Sequence, residues 1–176
     1  LQRPPYSLAM GIDWVRGLDK SKGKDEVFAI LSRTTNGAET TYTYVGHMGI
    51  HNVQWPHGCA STGSIIGATG AQGRGLGTEA KLLILYHAFM ILGLRKLTST
   101  VKVFNAPSMA HLIKCGYKPV GRYHKHHLHE GSFVDEILFE VFRDDWEPVW
   151  KRYQETAVLP KLTDEQRSLI ETDLCV

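Results

Sequence analysis

Apolar residues along this chain change period several times, and each change predicts an element. Leu8, Ile12, Val15 and Leu18 recur at helical spacing, which predicts a short amphipathic helix over 6–18, after Pro4 and Pro5. The period then shortens. Residues 26–32 form a short apolar run. Tyr42, Tyr44, Met48 and Ile50 share one parity across 41–53, as in a strand with a buried face, and 59–68 reads as a third strand. Asn36-Gly37 between the first two runs is a hairpin signal. A strongly apolar helix follows over 78–92, ended by Gly93. Residues 96–104 alternate and are β-branched, as in a strand. A short helix over 108–114 closes at Gly116, and strands over 117–128 and 133–142 are joined around Glu130-Gly131. Residues 144–176 are polar with a few aromatics (Trp146, Trp150, Tyr153) and predict a helical tail.

The order α, β, β, β, α, β, α, β, β places one strand–helix–strand unit in mid-chain. That unit implies one parallel pair with a helix crossing over it, in an otherwise antiparallel sheet. The fold class is therefore α/β of the α+β kind.

Composition narrows the function classes. The 176 residues carry 20 Lys+Arg against 18 Asp+Glu, a formal charge of +2, so no general attraction to nucleic acid or anionic membrane is expected. No apolar run is long enough to span a bilayer. Cys59, Cys115 and Cys175 are scattered, without C-x-x-C spacing, which suits a reducing, cytoplasmic setting and no disulfide framework.

The chemistry concentrates in residues 67–79, where Gly67, Gly70, Gly73, Gly75 and Gly77 stand between a strand and a helix. Such a loop brings backbone N–H groups close to a ligand, and the helix start favours an anion, most naturally a phosphate. Arg74 adds a cation. The bland alternative is a flexible connection. The Walker pattern is absent, since no Lys-Ser or Lys-Thr follows the glycines. The dinucleotide spacing is absent too: Thr78, not glycine, stands three after Gly75.

Gln72-x-x-Gly75-x-Gly77 resembles the acyl-coenzyme A signature of the GNAT N-acetyltransferase superfamily. Asn105-Ala106-Pro107-Ser108 followed by Lys114-Cys115-Gly116-Tyr117 resembles a second block of that family. Gly121-Arg122, Gly131 and Val134-Asp135 resemble its terminal hairpin. The resemblance spans about residues 6–146, and Ser108 and Leu112 are most similar to the branch of ribosomal-protein N-terminal acetyltransferases. It implies the GNAT fold, a mixed, largely antiparallel, splayed sheet flanked by helices. It implies acetyl-CoA as cosubstrate, with pantetheine along Ile65, Ile66 and Gly67. The pyrophosphate would rest on Gln72, Gly73, Arg74, Gly75, Leu76, Gly77 and Thr78, and Asn105 and Ser108 would lie beside the pantetheine and sulfur. The activity implied is direct acetyl transfer to a primary amine of a protein N-terminus, a polyamine or a small amino compound. A catalytically weak acyl-CoA-binding or sensing module is the alternative.

Two departures from the family pattern bear on the chemistry. Leu112 stands where many members carry a tyrosine that protonates the leaving thiolate, so Ser108 becomes the candidate donor; a helix N-cap role is its other reading. The third strand has no Glu, so the base is sought among His47, His51, Asp135 and Glu136, with His51 and Asp135 foremost. The oxyanion donor expected is a backbone N–H near Ile66. His124, His126, His127 and His129 invite a metal reading. Strand alternation would put 124 and 126 on one face and 127 and 129 on the other, so no metal is expected and the strand is read as lining the acceptor cleft.

The family has a first strand and helix for which this sequence offers too few residues. The expected layout is thus an acyltransferase domain over 1–146, incomplete at its start, with a helical tail over 147–176. A partner copy, as in a homodimer, or an upstream segment would complete the sheet edge.

Overall fold

The computed structural model describes residues 10, 12, 13, 16, 17 and 25–175, Thr69 by its backbone alone. Residues 10, 12, 13, 16 and 17 are helical, within the helix expected over 6–18. The remainder of that helix, and the expectation of a missing first strand and helix, lie outside the described residues.

Six strands form one sheet in the order β1-β2-β3-β4-β6-β5. They are β1 (Glu26–Asn36), β2 (Glu39–Gln54), β3 (Cys59–Ile66), β4 (Lys96–Lys102), β5 (Lys118–His129) and β6 (Ser132–Phe142). Among the described residues only β3 and β4 run parallel, as the mid-chain strand–helix–strand order predicts. The crossover helix α1 (Leu76–Tyr86) continues as a π-helical turn, His87–Ile91. Helix α2 (Ala106–Lys114) links β4 to the β5–β6 hairpin, which turns on Glu130 (φ 48°) and Gly131 (φ 82°). Two positive φ values in succession give the turn that matches strand twist. No helix among the described residues is long and apolar enough to cross a membrane.

One sheet face builds the core. Met48, Ile50, Ala60, Leu97, Val101, Ile137, Phe139 and Val141 lie in one buried cluster with Leu82 and Leu85 of α1, Phe89 of the π-helical turn, and Met109, Leu112 and Ile113 of α2. Helix α3 (Arg143–Thr156) adds the fully buried Trp146. The boundary expected at 146/147 falls inside α3. Ile170 and Leu174, beyond α4 (Asp164–Ser168), join the same core.

Three local expectations need correction. Tyr42 and Tyr44 are exposed, not buried with Met48 and Ile50. The β1–β2 register slips between Ile30 and Leu31, so Val45 is an extra residue that resets the parity of β2 and is itself buried. The first hairpin turns on Gly37-Ala38, one residue later than expected, with Asn36 paired to Glu39. Helix α2 begins at Ala106, not Ser108, because the Asn105 side chain caps it.

Candidate functional site

The sheet splays between β3 and β4. Their pairing is confined to Cys59–Ser61 against Lys96–Thr98, and beyond it the two strands part. A residue's N–H and C=O point to the same side of a strand. Gly67 N–H meets the Val45 carbonyl of β2, whereas the Thr62 carbonyl receives the Ser99 hydroxyl on the β4 side. Even-numbered residues of β3 therefore turn their backbone towards the gap. Ser64 and Ile66 present a strand edge there, beside the Ile65–Gly67 stretch singled out in the sequence. Gly46 makes the close packing of β2 on β3 possible, since a Cβ there would fall 2.0 Å from the Ile65 carbonyl oxygen.

The glycine loop leaves β3 and turns into α1. Gln72 ties it back, its side-chain amide donating to the Ile66 carbonyl at 3.1 Å. Gly73 (φ 73°) and Gly75 (φ 84°) both hold left-handed backbone, which a side chain would strain. Gly75 precedes the helix without a side-chain cap, so the N–H groups of Leu76, Gly77 and Thr78 have no acceptor within α1. Gln72, Gly73 and Arg74 are exposed. The loop thus presents backbone donors, a helix start and one cation to an anion. Leu159, from the segment after α3, packs against Gly75.

Ser108 lies in the first turn of α2, half-buried, and its N–H donates to Asn105 Oδ1 at 3.2 Å. The N-cap reading of Ser108 is therefore corrected: Asn105 is the cap, and the Ser108 hydroxyl makes no hydrogen bond among the described residues. Leu112 is buried in the core.

His47, Gly49 and His51 occupy the sheet face opposite Met48 and Ile50. Gly49 pairs with Gly63 of β3, and the His51 imidazole lies over both. A Cβ at Gly49 would fall 2.5 Å from His51 Nε2, and one at Gly63 would lie 3.8 Å from the same atom. The two glycines make room for that ring. Asp25 Oδ1 lies 3.8 Å from His51 Nδ1 and accepts the Asn52 N–H at 2.8 Å. The Tyr44 hydroxyl sits 3.3 Å from His47 Nδ1.

Asp135, expected among the candidate bases, is ringed by donors. It accepts the Lys125 N–H at 2.6 Å and Arg122 Nε at 2.6 Å, and contacts His124 Nδ1 at 3.1 Å. The Lys125 hydrogen bond, with Arg122 and His124 behind it, lowers its pKa to about 2. A carboxylate so held has little proton affinity, and its position on β6 clamps the irregular stretch of β5. There the register slips between Tyr123 and His127, with Lys125 at φ 51°. The slip overturns the alternation expected for the histidines: His126 and His127 both approach Glu136, at 3.8 and 3.1 Å.

A buried polar cluster on the core side of the splay escaped the sequence reading. Lys81 of α1 is 1% exposed, and its Nζ donates to Thr62 Oγ1 at 3.0 Å. Thr62 Oγ1 also meets the Tyr117 hydroxyl at 2.7 Å. Burial lowers the Lys81 pKa to about 8 and raises those of Cys115, to about 12, and Tyr117. Burial, with Lys81 and Lys114 nearby, takes His111 down to about 3. In sequence Lys81 is one polar residue in an apolar helix, with no signal that it faces inward.

The acetyltransferase (GNAT) domain family matches residues 2–118 of this chain. An uncharacterized N-acetyltransferase, YokL, of the SPbeta prophage in Bacillus subtilis is 32% identical over 76 residues, 43% of this chain and 43% of the relative's own length. Among solved structures, Vibrio cholerae spermidine N-acetyltransferase in complex with CoA and spermine superposes with a TM-score of 0.69 at 18% identity, covering 82% of this chain and 81% of that one. Mycobacterium smegmatis RimJ in complex with CoA-disulfide gives 0.70 at 20% identity, covering 86% and 70%. At these identities the structural likeness concerns the fold.

Proposed function

This chain belongs to the GNAT acetyltransferase family, and on that premise we propose that it is an acetyl-CoA-dependent N-acetyltransferase acting on a primary amine. The observation that carries this reading is the junction of the β3–β4 splay with an uncapped glycine loop at the start of α1. Pantetheine runs along the edge formed by the Ser64 backbone and the Ile66 N–H, the Ile66 carbonyl being taken by Gln72. The pyrophosphate sits on the N–H groups from Gly73 to Thr78, with Arg74 beside it. Asn105 and Ser108 flank the sulfur.

The amine nitrogen attacks the thioester carbonyl carbon from the sheet face that carries His51. His51 Nε2 takes the proton the amine loses, and Asp25 steadies the opposite side of the ring. The N–H of Ile66 receives the oxyanion. The tetrahedral carbon then expels the thiolate, which takes a hydrogen bond from the Ser108 hydroxyl and a proton from solvent. Holding amine and thioester in one cleft supplies much of the remaining acceleration. The acceptor classes in view are the polyamines, on the likeness to the Vibrio enzyme, and protein N-termini.

A thiol-release assay with acetyl-CoA, spermidine, spermine and short peptides with free N-termini tests this reading. Turnover with one of these classes supports it. Coenzyme binding without turnover across the panel would leave a binding module instead.

A further inference from the structure

The irregular stretch of β5 gathers side chains that the acetyl-transfer reading does not use. We propose that His126, His127 and Glu136 form a binding site for one divalent first-row transition ion, zinc foremost.

Consecutive strand residues ordinarily point to opposite faces. Here the register slip and the left-handed Lys125 bring His126 and His127 together against one carboxylate of β6. One ligand atom from each of the three residues lies within 4.8 Å of the other two. His127 Nε2 is 3.1 Å from Glu136 Oε1, and His126 Nε2 is 3.8 Å from Glu136 Oε2. Tetrahedral zinc with bonds near 2.0–2.1 Å sets its ligand atoms about 3.4 Å apart, and each imidazole lies near that distance from one or the other Glu136 oxygen.

A second observation concerns the hydrogen bonding of His127. His127 Nε2 is buried and has no hydrogen-bond partner, although a carboxylate oxygen lies close by. The contact lacks the alignment of a ring N–H bond. A buried polar atom in that state calls for an explanation, and a bound ion is one. Glu136 is itself only 13% exposed along its side chain.

The surroundings hold the three groups in place. Tyr123 stacks on the His126 ring with centroids 4.8 Å apart, and the two histidine rings meet edge to face at 4.7 Å. Asp135 clamps the slip through the Lys125 N–H. The register neighbour of Glu136 on β4 is Lys102, whose ammonium lies 6.0 Å over the Phe104 ring. Two imidazoles and one carboxylate favour zinc and its neighbours over magnesium or calcium, which prefer oxygen. His126 is half-exposed, which leaves a side open for a water as fourth ligand.

The test uses the full untagged chain with zinc chloride, followed by calorimetry, and cobalt(II) as a spectroscopic probe. The expected result is one equivalent bound, a visible cobalt absorption of tetrahedral intensity, and a raised melting temperature. His126→Ala and Glu136→Gln should each weaken binding roughly tenfold or more, whereas His57→Ala on the exposed turn after β2 should not. Circular dichroism confirms that each variant is folded. No binding, several equal sites, or binding unchanged in both folded variants overturns the assignment. Acetyl transfer is not part of the readout, so failure here leaves the proposed activity untouched.

Discussion

Lys81 Nζ donates a 3.0 Å hydrogen bond to Thr62 Oγ1 inside the core. Thr62 is the first residue of β3 beyond the last β3–β4 pair. A buried ammonium therefore stands behind the fork of the sheet, with the Tyr117 hydroxyl on the same threonine oxygen.

That pair sets a pH signature. The folded-state pKa of Lys81 lies below its unfolded value, so its destabilising effect is fully present below about pH 8 and is relieved as pH rises towards 10.5. Cys115 and Tyr117 are shifted upwards, so they oppose the gain above roughly pH 9. Melting temperature should rise between pH 8 and 9 and then level or fall. Lys81→Met should flatten the rise. A thermal scan at three pH values decides the matter, and an unchanged rise in the variant would remove Lys81 as its cause.

His111 acts at the acid end. Its pKa falls to about 3 in the fold, so the unfolded chain takes up the extra proton as pH drops from about 6.5 to 3. Stability should be lost across that window, and His111→Leu should lose less. Urea midpoints at pH 7 and pH 5 give the comparison.

Removing the His51 imidazole should slow acetyl transfer. His51→Gln should lower kcat roughly 10²-fold or more, the usual scale of a positioned base, with KM for acetyl-CoA little changed. Steady-state kinetics on the amine found in the panel are the measurement. Full activity in the variant would return the search to His47 and Glu136.

Asp135 should behave as a scaffold. Asp135→Asn should lower the melting temperature by leaving one acceptor oxygen and no charge for the Lys125 N–H and Arg122 to share, while leaving the shape of the pH–rate profile intact. A displaced acidic limb would instead make Asp135 the proton acceptor.

The glycine loop is tested at Arg74 and Gly73. Arg74→Ala should weaken coenzyme A by several-fold, since the residue is exposed and adds charge without packing. Gly73→Val should abolish binding, because the position needs φ 73° and has open space for a Cβ that would block the approach of a ligand. Melting-temperature shifts with saturating coenzyme A report both.

The strand and helix order was legible because alternation and helical spacing are local properties, and Gly93, Gly116 and Gly131 punctuate them. The strand-to-helix loop was legible because five glycines crowd residues 67–77. What escaped depended on register. One extra residue at Val45 exposed Tyr42 and Tyr44. One slip near Lys125 turned a pair of histidines expected on opposite faces towards the same acid. Lys81 was missed because its partners, Thr62 and Tyr117, lie 19 and 36 positions away along the chain. The Asn105 cap was missed because Ser108, also a good capping residue, stood three positions later.

A Cβ at position 75 would come 2.5 Å from the Leu159 side chain. The segment after α3 thus rests on the loop proposed to hold the coenzyme. A proteolytic nick after Thr156, or a bulky fusion that tugs on the chain end, should register first as slackened grip on the coenzyme, well before the sheet itself gives way.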